Sequence, residues 1–200
     1  MPFIDLTRTL APGMPVYPGD PPVEIQTLKG SPATCKITLG SHAGTHLDAP
    51  SHFFKDGKSV AHLDVNKFFG RGRLIDARGI PVIDSPLLDG VSIERGDAVL
   101  VYTGWDTHFN SPDYFTQYPK ITPAFAQQLC DAGITMIGMD NPGPDYPPYP
   151  VHQLFLKHEV IILENLTGLE QLTATPRFKV IALPAKWPTD GAPVRVIAKI

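Results

Sequence analysis

Two hundred residues are enough for a domain with a real core, and 42% apolar against 18% charged residues exclude a disordered chain. A net charge of −3 leaves no electrostatic footprint for nucleic acid or an anionic membrane. The opening MPFIDLTRTL sets Asp5 and Arg8 where a secretory signal needs an apolar core, and no apolar run reaches transmembrane length, so a cytoplasmic protein is expected.

No repeat, low-complexity tract or linker divides the chain, and a single domain over residues 1–200 is expected. The 22 prolines argue against long helices and for short strands with fixed corners. Cys35 and Cys130 stand far apart with no Cys-x-x-Cys spacing and read as buried free thiols.

In chain order, FIDLT reads as a short strand running into a rigid corner, Pro15-Val16-Tyr17-Pro18-Gly19-Asp20. Residues 23–28 and 35–39 alternate apolar and polar, as a pair of antiparallel strands would, and lead straight into SHAGTHLDAPSHFF at 41–54. That stretch sets His42, His46, Asp48 and His52 at even positions, which share one face of an extended segment. His46 and Asp48 then lie roughly 6.6 Å apart, so both tips reach one ion. His42 joins them only if the chain bends, which Gly44 permits. Gly44, Thr45 and Pro50 disfavour a helix here. Imidazole and carboxylate suit zinc, manganese or iron, and three such ligands with an open position form the catalytic pattern. We read a metal site rather than a set of turn and surface histidines.

Further on, Arg71 and Arg73 read as a solvated edge, residues 74–77 as a strand, and AVLVY at 98–102 as a strand buried on both faces. Thr122-Pro123 opens a helix that Gly133 stops, with Phe125, Ala126, Leu129 and Cys130 as its apolar stripe. TMIGM is a buried strand ending at Asp140, PGPDYPPYP at 142–150 a stiff loop, and Pro150 opens a second helix through about His158. His152 falls in its first turn. VIIL runs into Glu164, a helical turn covers 169–172, and residues 178–183 and 194–200 close the chain as strands. The pattern is a mixed α/β domain with a central sheet and few helices. His152 and Glu164 supply a second histidine–carboxylate pair, which nothing in the sequence joins to the first. His62, His108 and His158 are left outside the site.

The stretch HAGTHLDAPSHF resembles the signature of the cyclase family, which includes bacterial kynurenine formamidases and isatin hydrolases. The early corner at 15–20, Thr103-Gly104-Trp105, Gly138-Met139-Asp140 and the late His152 and Glu164 extend the resemblance over nearly the whole chain. It implies a swivelling β/β/α fold, a homodimer or homotetramer, and an active site near a subunit interface. It implies a site for two divalent ions, zinc favoured and manganese possible. His42, His46 and Asp48 would hold one ion, and Asp48 would bridge to a second held by His152 and Glu164. His52 would be general acid and base. The implied reaction is hydrolysis of a small-molecule amide by a metal-bound hydroxide, as in converting N-formylkynurenine to kynurenine and formate in tryptophan catabolism. The alternatives are hydrolysis of a cyclic imide, lactam or lactone, and a metal-binding homologue without catalysis. Tyr17, Phe53 and Trp105, with Phe54, Tyr146 and Trp187, are candidates to stack on an aromatic substrate. Glu164 favours the formamidase-like branch, since the isatin hydrolase branch lacks the late glutamate. One departure stands out: Gly143 replaces the serine of the family's Asp-x-x-Ser-x-Asp, a change expected to alter a loop near the pocket, and with it the substrate, and to leave the metal ligands alone.

Overall fold

The computed structural model describes residues 2–200. The chain enters through β1 (Phe3–Asp5), throws out a hairpin of β2 (Glu24–Leu28) and β3 (Thr34–Thr38), and returns as β4 (His46–Asp48). Next come β5 (Phe69–Asp76), β6 (Val82–Ile83), β7 (Asp97–Tyr102) and β8 (Lys120–Ile121). The helical part follows: α1 (Pro123–Ala132), β9 (Met136–Met139), α2 (Pro150–Lys157) and β10 (Ile161–Glu164). β11 (Phe178–Ala182), β12 (Gly191–Pro193) and β13 (Val196–Lys199) close the chain.

Nine strands form one mixed sheet in the order β1-β13-β11-β5-β7-β9-β10-β4-β12. The centre, β5-β7-β9-β10, is parallel, and both flanks are antiparallel. β7, β9 and β10 are buried along their whole length, which is why they read as unbroken apolar runs. Over one face, α1 and α2 bring Phe125, Leu129 and Phe155 against Val99, Ile137 and Ile162. On the other face, one core gathers Leu47 and Ala192 from one end of the sheet with Val180 and Ala198 from the other. The sheet therefore curls round that core. The result is the expected mixed α/β architecture with few helices.

α1 starts where its capping signals stand. Thr122 Oγ1 accepts from the Phe125 N–H at 3.2 Å, Pro123 fills the first turn, and Gly133 ends the helix at φ +75°. Other expectations change. The strand expected at 74–77 begins five residues earlier, because Gly72 makes room for the Phe178 ring: a Cβ there would lie 2.0 Å from it. Arg71 and Arg73 are more than a solvated edge, since their Nε atoms grip the buried Asp97 at 2.9 and 3.0 Å. β2 and β3 pair only with each other, and every residue in them is exposed, so their alternation marks no buried face. Cys35 is exposed with them, while Cys130 is buried. The strand expected at 194–200 is shortened to β13, and β12 at Gly191–Pro193 precedes it as a further strand. Of the histidine stretch only β4 is extended, and His52 lies in a single helical turn, Pro50–His52.

Candidate active site

β4 pairs antiparallel with β10 so that His46 stands opposite Glu164 and Asp48 opposite Ile162. Glu164 ends β10, at the carboxyl end of the parallel centre where α/β sheets commonly bind ligands. Between β9 and β10 the chain forms α2, whose first turn lowers a buried His152 onto the same place. Gly44, at φ +61°, turns the chain ahead of β4 so that His42 folds back over Asp48. The second histidine–carboxylate pair thus meets the first, which no spacing in the sequence reveals.

Asp48, 1% exposed, is the centre of the cluster. Its Oδ1 lies 2.8 Å from His42 Nδ1 and 3.4 Å from His46 Nε2, and its Oδ2 lies 4.0 Å from His152 Nε2. Glu164 Oε1 is 3.1 Å from His152 Nε2, and Oε2 is 3.3 Å from His46 Nε2. The other nitrogen of each imidazole has its own acceptor. His42 Nε2 reaches Asp190 Oδ2 at 3.0 Å, His46 Nδ1 reaches the Gly44 carbonyl at 2.8 Å, and His152 Nδ1 reaches Asp145 Oδ1 at 2.5 Å. Asp145 also accepts from the Val151 N–H at 2.6 Å, which ties it to the start of α2.

This donor set fits divalent cations. Three groups each bring three ligand atoms within 4.8 Å of one another: the triads His42–His46–Asp48 and Asp48–His152–Glu164, which share the buried Asp48, and the more exposed His42–His52–Asp190. All three histidines of the two triads show the outward hydrogen bond that orients a metal-bound imidazole. The field has the right sign. Burial opposes protonation, yet Asp48 and Asp190 push His42 up to about 11, Asp48 and Glu164 push His46 up to about 9, and Asp145 and Glu164 push His152 up to about 10. Against burial, the histidines beside Asp48 and Glu164 hold both carboxyls below their usual range. The cluster calls for positive charge, which an ion supplies while leaving the imidazoles neutral.

His52 lies outside the two triads that share Asp48. Its Nδ1 is 3.1 Å from Asp190 Oδ2, and its Nε2 has no partner among the described residues. Asp190 also accepts from Ser41 Oγ at 2.9 Å, and His42 holds its carboxyl below the usual range. A cavity of about 320 Å³ opens over the cluster, walled by Tyr17, Phe53, Phe115, Tyr118 and Tyr149. The Tyr17 and Tyr149 hydroxyls meet at 3.0 Å, and the Phe53 ring lies 5.5 Å from His152.

Of the aromatic candidates, Tyr17 and Phe53 line this cavity. Trp105 does not: its indole N–H donates to the Tyr114 carbonyl at 3.0 Å and its ring stacks on His108. Tyr146 stacks on Tyr118, Phe54 packs against the helical core, and Trp187 lines a separate hollow. Asp140 holds the corner at Thr103 and Gly104 through three hydrogen bonds. Gly143 borders the cluster itself: a Cβ there would be 3.0 Å from Glu164 Oε1 and 3.2 Å from His152 Cε1. The sequence reading missed Asp190, Asp145, Phe115, Tyr118 and Tyr149. For Asp190 the one local signal was the turn-forming Asp190-Gly191 pair.

The sequence profile of the family described as Cyclase matches residues 4–146. A kynurenine formamidase of Bacillus cereus is 33% identical, with 98% of this chain and 97% of the relative covered. One of Geobacillus thermodenitrificans is 34% identical, with 97% and 95% covered. Among solved structures, isatin hydrolase A of Labrenzia aggregata, bound to benzyl benzoate, superposes with a TM-score of 0.89 at 27% identity, covering 100% of this chain and 93% of that one. A structure described as a potential metal-dependent hydrolase with cyclase activity gives 0.82 at 27% identity, with 98% and 96% covered.

Proposed function

This chain belongs to the Cyclase family, and from that we propose that it is a metal-dependent amide hydrolase of the arylformamidase type, converting N-formylkynurenine to kynurenine and formate. One observation carries the reading. Asp48 turns one oxygen to His42 and His46 and the other toward His152, on the floor of an aromatic-walled cavity, with His52 beside both triads.

In this reading His42, His46 and Asp48 would hold one ion and Asp48, His152 and Glu164 a second, zinc being the favoured metal. A divalent metal bound there would supply Lewis acidity and make hydroxide available near neutral pH. The chain does the rest. Phe53 and Tyr149 receive the aryl ring of the substrate, and Tyr17 narrows the mouth through its hydroxyl bridge to Tyr149. His52 Nε2 takes a proton from the attacking water as the carbon–oxygen bond forms. It returns that proton to the departing nitrogen as the carbon–nitrogen bond breaks, a role worth roughly 10²–10⁴ in rate. Asp145 and the Gly44 carbonyl hold His152 and His46 in register throughout.

We further read the chain as a homodimer or larger assembly. The hairpin β2–β3 leaves Ile25, Leu28 and Ile37 exposed, and a lone two-stranded hairpin is marginal in water. No described helix is long and apolar enough to cross a membrane.

The direct test is turnover of N-formylkynurenine by zinc-loaded protein, followed through kynurenine absorbance, with a chelated and a reloaded aliquot beside it. We expect turnover that chelation abolishes and zinc restores. Absence of formamide turnover alongside rapid opening of isatin would move the assignment to cyclic amides.

A further inference from the structure

We infer that Asp190 is a positioning residue that sets the tautomer of both His52 and His42 through a single carboxylate oxygen. The inference rests on the proposed hydrolase function and on geometry that function did not use. Asp190 Oδ2 lies 3.1 Å from His52 Nδ1 and 3.0 Å from His42 Nε2, while Ser41 Oγ donates to Oδ1 at 2.9 Å. An ionised carboxylate only accepts, so each imidazole nitrogen facing it must carry the proton. By the same rule His42 Nδ1, 2.8 Å from Asp48 Oδ1, carries a proton as well until a cation between the two takes its place, and Asp190 then keeps the remaining proton on Nε2 so that Nδ1 is the ligand nitrogen. The proton on His52 Nδ1 leaves Nε2 bare, and Nε2 is then the atom able to take a proton from water. Without that acceptor His52 is free to carry its proton on Nε2 instead, which would block it as a base.

The backbone makes this arrangement rigid. The Asp190 carbonyl accepts from the Ala49 N–H at 2.8 Å, and Ala49 leads directly into the helical turn that carries His52. The Thr189 carbonyl accepts from Val60 at 2.9 Å, and Thr189 Oγ1 donates to the Gly191 carbonyl at 2.7 Å. Acceptor and histidine are therefore pinned to the same short length of backbone. The proton balance is closed: His52 Nε2 takes one proton from water as the carbon–oxygen bond forms. It gives that proton to nitrogen as the carbon–nitrogen bond breaks, so water and amide yield acid and amine with nothing else consumed.

The test uses zinc-loaded protein labelled with ¹⁵N-histidine, in which two-bond correlations report which ring nitrogen is protonated. In the unaltered protein His52 should show a protonated Nδ1 and a bare Nε2. In Asp190→Ala, His52 should shift toward the Nε2-protonated form. At saturating zinc its kcat on N-formylkynurenine should fall at least about 10²-fold with KM nearly constant. Its zinc affinity should weaken by about 10–100-fold, because His42 has lost its orienting acceptor. Asp190→Asn keeps an acceptor oxygen and should recover part of both losses. A protonated Nε2 on His52 in the unaltered protein would overturn the inference. So would kcat of Asp190→Ala within about threefold of the unaltered value at saturating zinc. Loss of a bound zinc in His52→Ala would also overturn it, by making His42, His52 and Asp190 a ligand triad in their own right. Failure of the unaltered protein on every aryl formamide would strike the hydrolase reading instead, and the tautomer and the zinc affinity would still decide the role of Asp190.

Discussion

At Asp48 a single side chain serves two sets of neighbours, and nearly all its surface is spent on them. Removing it should empty both halves of the site together. Asp48→Ala is expected to bind no zinc at stoichiometric concentration, by elemental analysis, and one retained equivalent would refute the bridging role. Gly191 is the subtler case. It stands opposite Asp48 across β12–β4, and a Cβ there would come within 2.6 Å of His42 Cε1 and 2.9 Å of the Leu47 carbonyl. One neighbour is backbone, so His42 must move. Gly191→Ala should weaken zinc binding by about 10-fold or more, a loss of roughly 1.4 kcal/mol, and titration calorimetry would read it. The candidate ligands at 42, 46 and 48 were legible because they crowd one short stretch. Asp190 was not, since its partners His42 and His52 are some 140 residues away and only the folded sheet brings them close.

At the scale of elements, the register of β4 against β10 does the assembling, because it puts His46 beside Glu164. α1 could be read to the residue because its cap, proline and stop are local signals. The hairpin was located correctly, but its surroundings were not. Alternation in β2 and β3 predicts one buried face, yet both faces are exposed. Period-two patterning records that a face is to be covered without saying what covers it. A second copy of the chain is the cover we expect. Ile37→Lys, which charges the most exposed apolar side chain of the hairpin, should shift the protein toward monomer in sedimentation. Unchanged assembly in that variant would remove the hairpin from the interface.

For the whole molecule, the site sits where helix-covered sheet, β4, β12 and the loop before α2 converge, so metal and fold are linked. Ligand present at about 100 times Kd adds roughly 2.7 kcal/mol of stability. In a chain of this length that is worth roughly 5–10 °C in Tm. Chelation should lower the unfolding temperature by about that much, and an equal Tm with and without chelator would mean the cluster holds no ion. The chelated protein should also respond to alkali. His42, His46 and His152 are raised to about 11, 9 and 10, so their charged pairing contributes fully below about 6.5 and is lost as pH rises through 9–11. The Tm gap between zinc-loaded and chelated protein should therefore widen from pH 7 to pH 10, and a gap that narrows would contradict the assignment.

The amino-acid sequence by itself determined the candidate metal-ligand motif, the two helices, the buried strands and the family, because each is written in neighbouring residues or in a short period. The resemblance implied that His152 and Glu164 share a site with Asp48, but only the tertiary structure brought them together, set Asp190 beside His52 and left Trp105 out of the cavity wall. It also brought Gly143 against Glu164 and His152 themselves. The physical reason is common to all four. Strand register and the curl of the sheet convert residues far apart in the chain into neighbours within hydrogen-bond distance, and no local propensity encodes that pairing.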